Sequence, residues 1–285
     1  MILKNALELY GNTIETRLIL KHVLNISDSD FIINLDMEIN INTDLAAIFN
    51  KRKQGFPLAY LTSEQFFWKH NFYVNENVLI PRQDSETLVA AFLEYFPQNS
   101  PSRAKGWTAS PDGVVESTLI SILEIGIGSG CLLLSLLDEY KNSIGCGVDI
   151  SSEALAVSLK NAQNLQVDSR LRLVQSNLFE KVDGVFDVII SNPPYISPED
   201  TDIADDVKKF EPNVALFADN NGLFFYEKIL EQAGAYLKKD GLIFLEIGYK
   251  QNSAVVYIAQ ENGFKHLATK KDLAGHDRAV VLQRV

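Results

Sequence analysis

Cysteine is nearly absent from this sequence: there are two in 285 residues, Cys131 and Cys146. Two cannot build a disulfide framework, and neither stands at a Cys-x-x-Cys or His/Cys spacing that would hold a metal. Both lie in apolar stretches, which predicts buried free thiols in a reducing compartment. Long apolar runs are missing as well, and nothing approaches the ~18 residues needed to cross a bilayer. The opening MILKNALELYGNTIE places acids where a secretory leader would continue its apolar run. Basic charge is scarce. Lys and Arg number 26 against 37 Asp and Glu, a formal net charge of -11, and no basic cluster exceeds Lys51-Arg52-Lys53. A chain gripping nucleic-acid phosphates through its overall field would be basic, so direct nucleic-acid binding is not expected. The expectation is a cytoplasmic, soluble monomer without membrane contact or metal.

What is present is enough apolar residue, 46%, for one large domain or two unequal ones. In ETRLILKHVLNI, Leu18, Ile19, Leu20, Val23 and Leu24 recur at helical spacing. SDSDFIINLD offers Ser and Asp caps before a second stripe, and NTDLAAIFNKRKQG repeats the arrangement and closes on Gly55. These predict a helical domain over 1–64. The aromatic and β-branched runs of QFFWKHNFYVNENVLI, separated by Asn75-Glu76-Asn77, predict a hairpin linker over 65–84. FPQNSPSRAKGWTASPDGVVES reads as a surface loop, with Trp107 pinning it or acting as a lid.

From Ile120 onward, strands alternate with helices. ISILEIG, IGCGVDI, LRLVQS, FDVIIS and GLIFLEIG are the strands; SGCLLLSLLDEY, SSEALAVSLKNAQ and GLFFYEKILEQAGAYL are the helices. That order predicts an α/β domain over 85–285 with a mostly parallel, doubly wound sheet whose ligands bind beyond the strands' carboxyl ends.

The first such end carries Gly126-Ile127-Gly128-Ser129-Gly130. Glycine there permits a tight turn and lets backbone N–H groups approach a ligand. The spacing is Gly-x-Gly-x-Gly, not that of the dinucleotide fingerprint. Asp149 follows about 20 residues later, where an acid can accept from both ribose hydroxyls or can cap the helix near Ser152. Asn177 and Leu178 follow the third strand, as an adenine edge and ring contact or as a simple turn. An adenosyl ligand suits this half, and NAD and S-adenosylmethionine both qualify.

The other half is Asn192-Pro193-Pro194-Tyr195, closing the fourth strand. A planar amide or exocyclic amine is a poor nucleophile, and its N–H groups need acceptors while its lone pair is aimed at a methyl. The Asn192 side-chain oxygen and the Pro193 carbonyl supply two acceptors, and proline fixes the backbone that carries them. Tyr195 offers an aromatic wall. No strong base is required, because an amide nitrogen becomes acidic as it gains the methyl. In-line methyl transfer governed by positioning and electrostatics follows.

The tetrapeptide and glycine turn resemble class I S-adenosylmethionine-dependent methyltransferases, with a Rossmann-like, mostly parallel seven-stranded sheet and here a small N-terminal helical domain. More narrowly, the chain resembles the HemK (PrmC) family of protein-glutamine N5-methyltransferases. PLAYLTSEQFFW, VLIPRQDSETLV, LEIGIGSG, GVDISSEAL, SNLFE, FDVIISNPPYI, EPNVALFADNNGLFFYEKIL, LEIGYKQ and DLAGHDRAVV carry the likeness nearly end to end. It implies S-adenosylmethionine over Gly126 to Gly130 with its ribose on Asp149, and S-adenosylhomocysteine as product. It implies peptide-chain release factors as protein substrates, methylated at the glutamine of a Gly-Gly-Gln loop and recognised by the helical domain. A sister family acting on a ribosomal protein, and adenine-N6 methyltransferases, share the tetrapeptide. Ser63, Gln83, Ser85, Asn177 and Leu178 depart from the family pattern, and the 97–117 insertion is longer than usual. Arg82, Asp84 and Glu86 either line the cleft or form linker ion pairs. Glu246 either faces the cleft or makes a cap or loop hydrogen bond, and His276 sits in a hairpin turn.

Overall fold

The computed structural model describes residues 2–39, 45–97 and 119–285. The insertion beyond residue 97, with Trp107, lies outside the described residues, as do Asn42, Thr43 and Asp44. Five short helices open the chain: α1 Leu3–Tyr10, α2 Ile14–Leu24, α3 Asp28–Ile33, α4 Leu45–Lys53 and α5 Leu58–Thr62. Thr13 and Ser27 cap α2 and α3, each accepting a backbone N–H at 3.1 Å. The apolar stripes meet in one cluster containing Leu3, Ala6, Ile19, Leu20, Phe31 and Phe49. Tyr10 stacks on Phe49 at 4.1 Å.

A hairpin follows, β1 Glu64–Phe67 with β2 His70–Tyr73. Its turn falls at Trp68-Lys69, not at Asn75-Glu76-Asn77 as the residue types suggested. Trp68 adopts φ 57, a conformation that favours Gly or Asn. Tertiary bonds hold it there: Trp68 N–H donates to Glu86 at 2.8 Å, and the indole N–H donates to Glu139 at 2.5 Å. Asn75-Glu76-Asn77 instead begins the segment leading to Pro81. Helix α6, Glu86–Tyr95, then packs on the sheet.

The sheet comprises β3 Ile120–Ile125, β4 Ser143–Asp149, β5 Leu171–Gln175, β6 Phe186–Ser191, β7 Leu237–Glu246, β8 Phe264–Lys271 and β9 Asp277–Arg284. Their spatial order is β5-β4-β3-β6-β7-β9-β8. The first five in that order are parallel, while β9 runs antiparallel to β7 and β8. Helices α7 Cys131–Glu139, α8 Ser152–Asn164, α9 Asp205–Phe210, α10 Asp219–Gly222, α11 Phe224–Tyr236 and α12 Asn252–Glu261 complete the chain. Two apolar clusters sandwich the sheet, which explains why β3 and β6 are apolar on both faces. This is the doubly wound α/β architecture expected. The β8–β9 hairpin, closed by the turn that holds His276, is added at one edge.

Strand order reverses between β3 and β6. β4 and β5 lie on one side and β7, β9 and β8 on the other. A crevice opens at the carboxyl ends of such a pair. The Ser191 hydroxyl donates to the Ile125 carbonyl at 2.7 Å and ties the two ends together. Among the described residues, no helix is long and apolar enough to cross a membrane, and no group of three His, Cys, Asp or Glu could hold a metal.

Candidate active site

A cavity of about 490 Å³ fills that crevice. Its floor is the glycine turn. Gly126 and Gly128 have φ of 73° and 53°, and a Cβ on either would meet nothing within 4 Å. The turn therefore presents bare backbone to open space, a cradle for a ligand that approaches the main chain closely. It is braced from behind. Ser158 on α8 donates to the Gly128 carbonyl at 2.7 Å, and Asn161 on α8 donates to the Ser129 carbonyl at 2.8 Å. The same Asn161 amide exchanges two bonds with the Tyr73 backbone, at 2.7 and 2.9 Å. One buried side chain thus fastens the hairpin linker to the turn. Neither Ser158 nor Asn161 was singled out in the sequence, where they look like ordinary polar positions on a helix.

Asp149, at the end of β4, lines the cavity. Its two carboxylate oxygens accept from Gly128 N–H at 2.9 Å and Ser151 N–H at 3.0 Å. The cap of α8 is the Ser151 hydroxyl, which accepts from Ala154 N–H at 3.0 Å. Asp149 is therefore not the helix cap, and its carboxylate keeps acceptor capacity for a ligand hydroxyl. Burial raises its pKa, opposed by the backbone donors Ser151, Gly128 and Ile150. Asn177 and Leu178 also line the cavity, beside Ile127, Ser129 and Ile150. The Asn177 amide N–H donates to Glu180 at 2.8 Å.

Glu124, within β3, is a cavity acid missed in the sequence. It accepts Leu133 N–H at 3.0 Å, and burial pushes its pKa well above the usual carboxylate range. The available signal was a lone acid inside an apolar strand. Cys131, expected to be buried, is only half-buried and lines the cavity, because it opens α7 directly beyond the glycine turn. Cys146 is buried as expected.

The opposite wall carries Ser191, Asn192, Pro193 and Pro194. The Asn192 side-chain N–H donates to the buried Ser85 hydroxyl at 3.2 Å. Among the described residues nothing donates to the Asn192 side-chain oxygen or to the Pro193 carbonyl. Tyr195 stands behind this wall, not on it. Its ring packs against the core of β7 and α11, and its hydroxyl donates to Glu246 at 3.2 Å. The aromatic wall expected of it is thus not among the residues that line the cavity. The Tyr195 carbonyl accepts from Gln251 at 3.0 Å, and a Cβ on Gly222 would come within 2.0 Å of it. Only glycine permits that approach.

The mouth is formed by the linker and by Pro212–Ala215, which meet at Glu211. Its carboxylate accepts Ile80 N–H at 3.0 Å and pairs with Arg82. Arg82 lines the cavity, whereas Glu86 serves the Trp68 turn. Asp84 pairs with Arg278 at 3.3 Å, and Arg278 pairs with Asp272 at 3.0 Å. His276 lies outside the cavity and packs on Tyr249 at 5.3 Å.

Comparison with known proteins gives this geometry a context. The family model described as PrmC N-terminal domain matches residues 8–62, and the one described as methyltransferase small domain matches residues 114–209. A release factor glutamine methyltransferase of Agrobacterium fabrum is 32% identical, covering 95% of this chain and 90% of that protein. Its counterpart in Francisella tularensis is 35% identical, covering 94% and 89%. A bifunctional methyltransferase of Rickettsia felis is 35% identical over 99% of this chain, which spans 56% of that relative's length. The chain thus spans about half the length of the Rickettsia relatives it matches. A solved methyltransferase structure from Pyrococcus furiosus shares the fold, with a TM-score of 0.53 at 16% identity, covering 75% of this chain and 88% of that one.

Proposed function

The chain belongs to the release factor glutamine methyltransferase family, and from that premise we propose that it methylates the side-chain amide nitrogen of a glutamine in peptide-chain release factors, with S-adenosylmethionine as donor. The observation that carries this reading is a pair of acceptors in residues of one cavity wall that no described residue engages, the Asn192 side-chain oxygen and the Pro193 carbonyl. A primary amide has two N–H groups, and two fixed acceptors hold both. Its nitrogen lone pair is then free to face the glycine turn across the crevice. The donor, when bound, supplies an electrophilic methyl on a cationic sulfonium.

The donor half of the cavity fits such a group. Gly126 to Gly130 offer open backbone, Asp149 keeps acceptor capacity for a ligand hydroxyl, and Asn177 and Leu178 edge the far end. On this reading Asn192 and Pro193 bind and orient the glutamine, while Pro194 and Tyr195 hold that pair in place. No residue need act as a strong base, because the amide proton leaves late, to water. The partner is a protein loop of Gly-Gly-Gln type, and such a partner is cytoplasmic. The relatives' names favour release factors over a ribosomal protein as the target.

A tritium-methyl transfer assay tests this. It uses purified protein, labelled S-adenosylmethionine, a bacterial release factor and its loop Gln→Ala variant. Label on the first acceptor alone is expected. Label on both, or on neither while calorimetry shows donor binding, rejects the release-factor glutamine as the target.

A further inference from the structure

Glu246 is a buried acid that the reading above leaves without a task. It ends β7, beside the strand that delivers Asn192, and is 1% exposed. One carboxylate oxygen accepts the Tyr195 phenol at 3.2 Å, and the other, Oε2, is buried and has no hydrogen-bond partner among the described residues. Ser85, 2% exposed, is part of the cavity lining. Its oxygen accepts the Asn192 side-chain N–H at 3.2 Å. Its hydroxyl lies near enough to Glu246 to favour the charged carboxylate. No hydrogen bond joins Ser85 to Glu246 in this structure, but a serine hydroxyl has a single proton to donate and Oε2 is a buried acceptor without a donor among the described residues.

We propose that Glu246 is a positioning residue for the methyl-accepting wall: it fixes the facing of the Asn192 amide through Ser85 and holds the end of the tetrapeptide through Tyr195. This rests on the glutamine-methyltransferase reading. The logic is one of donor direction. A carboxylate at 246 can only accept, so the Ser85 proton turns toward it. The Ser85 lone pair must then accept from Asn192 Nδ2, which leaves the Asn192 oxygen facing the cavity. If position 246 carries a proton, Ser85 can turn and donate to the Asn192 oxygen. The Asn192 NH2 then faces the substrate NH2, and two donors meet.

The groups facing Glu246 come from several elements. Arg278 on β9, Asp84 beside Ser85, Tyr195 after β6 and Cys131 opening α7 all interact with it electrostatically. Tyr226 on α11 donates to its backbone carbonyl at 2.8 Å. Burial pushes the Glu246 pKa up to about 7, opposed by Ser85, Arg278 and Tyr195 and reinforced by Asp84. The amide is therefore set correctly above neutrality and loses its setting below.

The test uses the full chain carrying Glu246→Gln, Ser85→Ala, both together, or Ser85→Thr, with the release factor and S-adenosylmethionine. At pH 8, Glu246→Gln and Ser85→Ala should each lower kcat by roughly tenfold or more, the size of one hydrogen bond to a charged group. Donor affinity by calorimetry should stay unchanged. The double variant should be no worse than the worse single one, because both break one relay. Ser85→Thr, which keeps the hydroxyl, should recover most activity. Wild-type kcat should rise with pH through about 7, a limb that Glu246→Gln removes. The Asn192 side-chain amide resonances should titrate over the same range in the wild type and in neither single variant. An Asn192 amide that does not titrate overturns the proposal, as does a Glu246→Gln enzyme with normal kcat and pH profile. Should Glu246→Gln fail to fold, Ser85→Ala and the amide titration decide. Should the release factor accept no methyl while the amide still titrates, the relay stands and the glutamine reading falls.

Discussion

Behind the glycine turn, the exposed carbonyls are held by neutral groups, the Ser158 hydroxyl and the Asn161 amide. Behind Asn192–Tyr195, neutral holders are joined by a buried acid: Ser85 accepts from Asn192 and Gln251 donates to the Tyr195 carbonyl, while the Tyr195 hydroxyl donates to Glu246. The bracing of the two walls thus differs in one respect, the buried acid behind the tetrapeptide. A neutral hydrogen bond keeps its geometry across the physiological pH range. A bond to a buried acid changes its donor direction when the acid takes up a proton. The bracing of the glycine turn's carbonyls should therefore keep its geometry at any moderate pH, while the bracing of the tetrapeptide should be sensitive to it; Asp149 and Glu124, the acids of the donor half, line the cavity and are not part of that bracing.

The largest effect that separates the halves is expected from Asn192→Ala. Removing one preorganised polar contact at the reacting group costs roughly 10²–10³ in kcat. Donor affinity should move by less than about threefold, because the donor cradle is the other wall. Methyl-transfer kinetics beside donor calorimetry check this, and equal losses in both would make Asn192 a donor ligand instead.

A smaller effect, of about 3 kcal/mol at most, is expected in stability as a function of pH. The Glu246 pKa is raised to about 7 in the folded chain against an ordinary carboxylate value when unfolded. The folded state holds the extra proton between those values. The stability it gains is fully present below the unfolded pKa and is lost as pH rises through about 7. Thermal unfolding of the wild type should thus decline from pH 5 to 8, and Glu246→Gln should flatten much of that decline. A wild type as stable at pH 8 as at pH 5 would contradict the assignment. The cost of a charged Glu246 falls on folding, while its benefit is the setting of Asn192.

The smallest effect belongs to the donor half. Asp149→Ala should weaken donor binding by roughly tenfold to a hundredfold, the range for one or two hydrogen bonds to a charged acceptor. At saturating donor, kcat should hardly change, at pH 6.5 as at pH 8. Calorimetry measures the loss of donor affinity. Unchanged donor affinity would remove Asp149 from the ribose role.

Contiguous features were readable from the chain alone, and dispersed ones were not. Gly126 to Gly130 and Asn192 to Tyr195 are consecutive residues, so their unusual composition stands out. The strands from β3 to β7 show as apolar runs, and the helices of the N-terminal region show as stripes at helical spacing. The family likeness built on these segments is upheld by relatives covering nearly the whole chain. The hairpin turn was misplaced because Asn75-Glu76-Asn77 has the better local turn chemistry, yet Glu86 and Glu139 hold Trp68 in the left-handed region from distant elements. Tyr195 was assigned a face in the cavity because a sequence says which residue follows a strand, not which way its ring turns.

Local period and local composition therefore determined the fold class, the order of strands and helices along the chain, and the two short segments that meet at the crevice. These are properties of neighbouring residues, set by backbone preference and by which positions must be apolar. Tertiary structure alone decided that Ser85 lies against Asn192, 107 residues away, and that Glu246 lies against Tyr195, 51 residues away. It also decided that Asn161 joins the hairpin to the glycine turn. A serine, an asparagine and a glutamate are ordinary in any sequence. They acquire a role only when the sheet closes over them, because burial forces each donor and acceptor to find its partner and turns hydrogen-bond direction into geometry.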